Sequence, residues 1–132
     1  MTIKELMVGD LLKANNDVFW IKKDMIVEIT KIVGTKYFDE DEYVYCRLFG
    51  YSKYQGLIIC NDLDPIPLTE EILEKNFPNP TDGLSWFPEE GGFNCHTYVP
   101  NCEINAFGLF KYVHELQHAL RLCGIEKEIE LK

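Results

Sequence analysis

The sequence predicts an α+β protein, with a β-rich first half followed by a mainly helical second half. Up to residue 68 the apolar residues form short runs rich in β-branched and aromatic side chains, separated by Gly, Asn and Asp. A capped helix start follows Pro67, and apolar residues recur with helical spacing from Ala106 to Cys123. The short strands predict a small SH3-like β-barrel or a bent antiparallel sheet.

Residues 1–66 contain the predicted strands. The clearest one is Met25–Val33, where Val27, Ile29 and Lys31 alternate onto one face. Turn residues bound the other runs, which are Val8–Leu12, Val18–Lys22, Tyr43–Phe49 and Leu57–Cys60.

Residues 67–132 are predicted to begin with a short helix. Thr69 can cap it, Glu70 and Glu71 suit the positive end of the helix dipole, and Pro78 stops it. A loop over residues 78–92 then carries Trp86 and Phe87, which either plug the core or form a contact patch.

The remaining elements are a strand at Phe93–Val99, a long amphipathic helix at Ala106–Cys123 and a final strand at Lys127–Leu131. The helix carries an apolar stripe made of Leu109, Val113, Leu116 and Leu120. We expect the two parts, 1–66 and 67–132, to form one compact unit with a shared core.

Composition restricts the partners. The chain has 13 Lys and Arg against 22 Asp and Glu, a net charge of -9, which disfavours nucleic-acid binding. We see no signal peptide and no apolar run of membrane-spanning length, so we expect no membrane partner. An odd number of cysteines, five, without a C-x-x-C pair predicts a reducing cytoplasm.

One motif names a chemistry. His114-Glu115-Leu116-Gln117-His118 reads H-E-x-x-H, the pattern in which two histidines one helical turn apart bind zinc and the glutamate acts as base. Under this alternative the protein is a zinc-dependent metallohydrolase, with His114 and His118 as ligands and Glu115 as the catalytic base.

Two observations oppose that alternative. A catalytic zinc needs a third protein ligand, and Arg121 and Gly124 stand where the longer metzincin pattern requires Gly and His. On the helical wheel, His114 lies at the margin of the apolar stripe and His118 faces water. We therefore predict that both imidazoles point outward and that the protein has no catalytic residue, no metal ligand and no cofactor.

Cys95-His96 followed by Cys102 could begin a zinc knuckle, but the spacing matches no common structural zinc site. Buried thiols beside a surface histidine are the preferred interpretation.

Three segments carry a resemblance. Pro65–Leu73 followed by Phe77 resembles a proline-plus-LTEEIL junction, and Tyr112–Leu120 resembles a YVHxLQ terminal helix. Together with the Val8-Gly9-Asp10 segment, they are similar to a family of short uncharacterised proteins of gut anaerobes and their phages and mobile elements. The resemblance implies a cytosolic setting and a role in phage–host or mobile-element biology. The similar proteins of that family carry Gln or Asn at the positions of Glu115 and His118.

The sequence thus predicts a non-enzymatic binding or accessory protein whose partner is a protein. The expected contact surface consists of Tyr51, Tyr54, Trp86 and Phe87. A homodimer joined at a strand edge stays open as an alternative.

Overall fold

A computed structural model describes residues 2–18, 21–35, 41–49, 55–78, 84–97, 107–122 and 128–131. The chain divides into two compact units, Met1–Ile66 and Pro67–Lys132. Each unit contains an antiparallel sheet, and the two α-helices of the described residues belong to the second unit. The predicted α+β class is confirmed.

The first unit is a five-stranded antiparallel sheet in the order β4-β3-β2-β1-β5. Within the described part of the chain β4 and β5 form its two edges, so the sheet is not closed into a barrel. A 3-10 turn at Cys60–Asp62 leads into β5. The strands are β1 Leu11–Ala14, β2 Ile26–Thr35, β3 Glu42–Leu48, β4 Gln55–Ile59 and β5 Leu63–Pro65.

Alternating side chains of β2 contribute to the core of this unit, and one of them lies on a different side from the one predicted. Val27 and Ile29 are fully buried, as predicted, but Lys31 is exposed. The pairing with β3 shifts between Ile29 and Lys31, which leaves Thr30 as the extra residue of a β-bulge. After the bulge Ile32 packs against the core instead.

The predicted turn before β1 is held by its own residues. Gly9 has a positive φ of 94°, which glycine adopts without a steric cost, and its N–H donates to Ile29 O at 2.7 Å. The buried Asp10 accepts the N–H of Met7 at its Oδ2, at 2.8 Å. The Val8-Gly9-Asp10 segment is therefore a backbone anchor between β1 and β2.

The second unit comprises two helices and a three-stranded antiparallel sheet in the order β6-β7-β8. The Thr69 hydroxyl accepts the N–H of Ile72 at 3.3 Å, so the predicted helix cap is confirmed. The elements are α1 Glu70–Asn76, β6 Leu84–Glu89, β7 Gly92–Thr97, β8 Phe107–Phe110 and α2 Val113–Leu122.

Three expectations for this unit are wrong. Trp86 and Phe87 belong to a strand rather than a loop, because β6 forms a hairpin with β7. The long helix begins at Val113, and Leu109 lies in β8. Residues 128–131 form no strand.

Residues 128–131 are attached to α1 by hydrogen bonds and not by sheet pairing. The Asn76 side chain accepts the N–H of Glu130 at 2.7 Å and donates to Glu130 O at 2.8 Å. Ile129, next to this clamp, is buried. Among the described residues, no helix has the length and apolar character to cross a membrane.

Candidate functional site

The H-E-x-x-H motif occupies the first turns of α2, and its glutamate acts as a helix cap. Glu115 Oε1 accepts the N–H groups of Lys111 and Tyr112, each at 3.0 Å. A glutamate three residues into a helix that reaches back to these donors satisfies N–H groups that the helix itself leaves unpaired. The carboxylate therefore lies against backbone at the helix start and caps it.

The histidines pack as ring partners. The His114 ring stacks on Tyr112, with centroids 6.0 Å apart and planes at 18°, and it meets the His118 ring edge-on at 5.6 Å. His114 is only 6% exposed, so its predicted outward orientation is wrong, whereas His118 is half-buried. The helical wheel placed His114 at the stripe margin, and a neighbouring aromatic ring packs over that margin.

The arrangement of His114, Glu115 and His118 does not suit a catalytic zinc. The proposed base is held by two backbone N–H groups, and the two rings meet edge to face. In the described segments no group of three or more His, Cys, Asp or Glu side chains could hold a metal ion.

The Cys95-His96 pair does not converge on a common point either. Successive residues of β7 face opposite sides of the sheet, so Cys95 is buried while His96 is exposed. Burial raises the pKa of the Cys95 thiol to about 11, which keeps the thiol protonated. Cys102 and Cys123 lie outside the described residues.

The other described cysteines belong to the core of the first unit. Burial, and secondly the proximity of Cys60, raises the pKa of Cys46 to about 12. The pKa of Cys60 is raised as well, chiefly by burial. Protonated, buried thiols are poor nucleophiles and poor metal ligands.

The predicted aromatic pair divides between the two faces of β6. Trp86 turns inward, where its Nε1–H donates to Phe77 O at 3.2 Å and its ring meets Phe93 edge-on. Phe87 turns outward and is 50% exposed. Tyr51 and Tyr54, the other expected contact residues, lie outside the described residues.

Phe87 belongs to a row of three residues, two of them apolar, across the outer face of the three-stranded sheet. Phe87 pairs with Asn94, and Asn94 pairs with Leu109. Leu109 is 44% exposed, and the two apolar side chains lie about 10 Å apart, two strand spacings. We call Phe87, Asn94 and Leu109 the outer row. Sequence reasoning missed Leu109 because its spacing also fits a helical stripe.

Polar groups surround the outer row. The Asn94 Nδ2–H donates to Glu89 Oε2 at 3.1 Å, and Ser85 pairs with His96 one row further along. Lys111 approaches the hairpin tip, since a Cβ on Gly91 would lie 3.8 Å from Lys111 Cε. The outer face therefore combines two exposed apolar side chains with polar groups between and around them, and protein contact surfaces combine apolar and polar groups in this way.

A shallow cleft of about 270 Å³ lies where the end of α1 meets β6. It reaches the edge of the outer face through Ser85. Its walls are Glu74, Phe77, Pro78, Leu84, Ser85 and Trp86.

No protein-family model matches this chain, and no curated protein or solved structure shows significant similarity to it.

Proposed function

We propose that this protein is a non-enzymatic binding or accessory protein that contacts a protein partner through the outer face of the β6-β7-β8 sheet. The outer row carries the proposal. It places two large apolar side chains, 50% and 44% exposed, on one face of a regular sheet, on either side of Asn94. Covering what remains exposed of Phe87 and Leu109 would contribute about 1–3 kcal/mol to association.

The surface has the rigidity that a contact site needs. The face is built on paired strands, and the opposite side of the sheet is fixed by buried Leu84 and Cys95. Side chains held on strands lose little conformational freedom when a partner binds. This favours a preformed contact over a segment that folds on binding.

Charge indicates the kind of partner. Residues 67–132 carry eleven acidic and five basic side chains, and the whole chain has a net charge of -9. A basic protein would be attracted, whereas nucleic acid and a second copy of this chain would be repelled. We therefore favour a basic partner over the homodimer alternative.

The zinc hydrolase remains the second candidate from the sequence, and the geometry of α2 gives it no support. The capping role of Glu115 explains why a glutamate stands three residues into this helix. The ring contacts of His114 with Tyr112 and His118 account for a histidine at a buried position.

For the first unit we propose an open relative of the SH3-like barrel. In support, β1 pairs with both β2 and β5, and the 3-10 turn Cys60–Asp62 leads directly into β5. The bulges in β2 supply the bending that such a sheet needs.

We also propose a cytoplasmic setting with a role in phage or mobile-element biology. The free thiols of Cys46, Cys60 and Cys95 support a reducing compartment. The phage connection is supported only by the resemblance of the Pro65–Leu73 and Tyr112–Leu120 segments.

A matched pair of leucine variants tests the contact surface. Leu109→Ser removes an apolar side chain from the outer row, and Leu122→Ser removes one that is 77% exposed at the end of α2. We expect Leu109→Ser, like Phe87→Ser, to weaken capture of the native partner by about tenfold, and Leu122→Ser to leave it unchanged. Equal capture by all three variants, each verified as folded, would rule out the outer row.

A further inference from the structure

We propose that the cleft between α1 and β6 receives an arginine side chain of the basic partner. This inference rests on the proposed function, because the cleft adjoins the proposed contact surface. Ser85 belongs to both, since it lines the cleft and lies on the outer face of β6. A partner seated on the outer row could therefore extend one side chain over the β6 edge into the cleft.

The size of the cleft suits one side chain. Small-molecule sites enclose about 300–1,000 Å³, and this cleft measures about 270 Å³. The partly exposed Trp86 supplies an apolar wall for the aliphatic stem of a long side chain, and the buried Phe77 and Leu84 form the floor behind it. Long basic side chains bury such stems along apolar surface while they keep the charged group near water.

The charge of the cleft selects a cation. Glu74 is the one charged residue among its described lining residues, and it is exposed. No salt bridge in the described residues involves Glu74. A neutral occupant, such as a proline side chain, would cover this carboxylate without pairing it, which is unfavourable.

The aromatic wall favours arginine over lysine. A guanidinium can stack on an indole face and at the same time donate to a carboxylate, whereas a lysine ammonium is a compact, strongly hydrated charge. The Trp86 ring is already oriented by its hydrogen bond to Phe77 O and by its contact with Phe93. The Phe77 N–H donates in turn to Leu73 O at 2.8 Å, so the wall is fixed to α1.

The test uses the full chain labelled with ¹⁵N. It is titrated with N-acetyl-arginine methylamide and, separately, with the neutral counterpart N-acetyl-citrulline methylamide. The chain has two indole N–H signals, which Trp20→Phe assigns. We expect the Trp86 signal to shift saturably with the arginine probe. The affinity for the citrulline probe should be at least about threefold lower.

Variants of two glutamates test whether the preference for arginine comes from the cleft. Glu74→Gln should abolish the preference for arginine, while Glu71→Gln, an exposed position on the same helix outside the cleft, should retain it. An unshifted Trp86 signal, equal affinity for citrulline, or an unchanged preference in Glu74→Gln would each overturn the proposal. So would displacement of the arginine probe by N-acetyl-prolyl-proline amide.

The Phe87→Ser variant separates this inference from the proposed function. It lacks the outer-row aromatic ring but retains every lining residue of the cleft. We expect it to weaken partner capture by about tenfold and to keep the arginine response. Loss of the arginine response alone would contradict the cleft proposal, and unchanged partner capture alone would contradict the proposed contact surface.

Discussion

The Glu115 carboxylate lies at the positive end of the α2 dipole, where Oε1 accepts the Lys111 and Tyr112 N–H groups. The segment just before it is also anchored, since Leu68 N–H donates to Lys111 O at 2.8 Å. A cap of this kind fixes where α2 begins. It thereby fixes which residues of the helix face the interior.

Removing that cap should lower the stability of the fold. We expect Glu115→Ala to reduce the free energy of unfolding by about 0.5–2 kcal/mol, because two backbone N–H groups lose their acceptor. Glu128→Ala, an exposed carboxylate in the terminal segment, is the control. Urea denaturation followed by circular dichroism measures both, and equal stability of the two variants would contradict the capping role.

The buried thiols predict a loss of stability at alkaline pH. The pKa of Cys95 is raised to about 11 and that of Cys46 to about 12, from an ordinary 9.0. The unfolded chain therefore releases these protons at lower pH than the folded one. The stabilising contribution is fully present below pH 9.0 and is lost as the pH rises towards these raised values.

Chemical denaturation below and above pH 9.0 measures this effect. The comparison is with Cys95→Ala, which differs from the native protein only in this thiol. We expect that variant to lose less stability per pH unit than the native protein, whatever its absolute stability. Identical pH slopes would show that the Cys95 thiol makes no such contribution.

At the scale of elements, the sequence predicted what depends on strict alternation. Val27 and Ile29 in β2 lie on the buried side, as expected, because a half-buried strand has a period of two. Lys31 was misplaced because a β-bulge is invisible in composition. Strand β5 was missed because Pro65 reads as a terminator.

The site was only partly predictable, for a physical reason. Leu109 fits both a helical stripe with Val113 and a strand that alternates with Gly108 and Phe110, and pairing with β7 decides between them. The partnership of Phe87 with Leu109 follows from that pairing. The burial of His114 depends on the Tyr112 ring, and local spacing does not show such a contact.

The β7–β8 pairing depends on a close approach at Gly92. A Cβ there would lie 2.5 Å from Phe110 O, whereas a Cβ on Gly108 would meet only the Phe110 ring at 3.8 Å. We expect Gly92→Ala to cost about 1–3 kcal/mol through displaced backbone and Gly108→Ala less than about 0.5 kcal/mol. Thermal denaturation compares them, and equal effects would contradict this packing.

The clamp between Asn76 and Glu130 ties the end of the chain to α1. We expect Asn76→Ala to lower the free energy of unfolding by about 1–3 kcal/mol, because the Glu130 backbone groups lose their partners and a buried side chain is truncated. It should also speed proteolytic removal of residues 128–131, which mass spectrometry detects. Asn61→Ala, at an exposed position, is the control, and equal proteolysis of the two variants would contradict the clamp.

At the scale of the whole molecule, an acidic chain displays Phe87 and Leu109 on the outer face of the β6-β7-β8 sheet. The net charge of -9 opposes self-association, whereas Phe87 and Leu109 provide apolar area to be covered. Both features suit a basic protein partner. Because long-range attraction is screened by salt, we expect association to slow as ionic strength rises.

Site-specific photo-cross-linking in the native host tests the central claim most directly. A benzophenone side chain would replace Phe87 on the outer face in one protein and Leu122 at the end of α2 in another. We predict one discrete adduct with a basic protein from position 87 and none from position 122. Equal adducts from both positions, or adducts only with a second copy of this chain, would contradict the account.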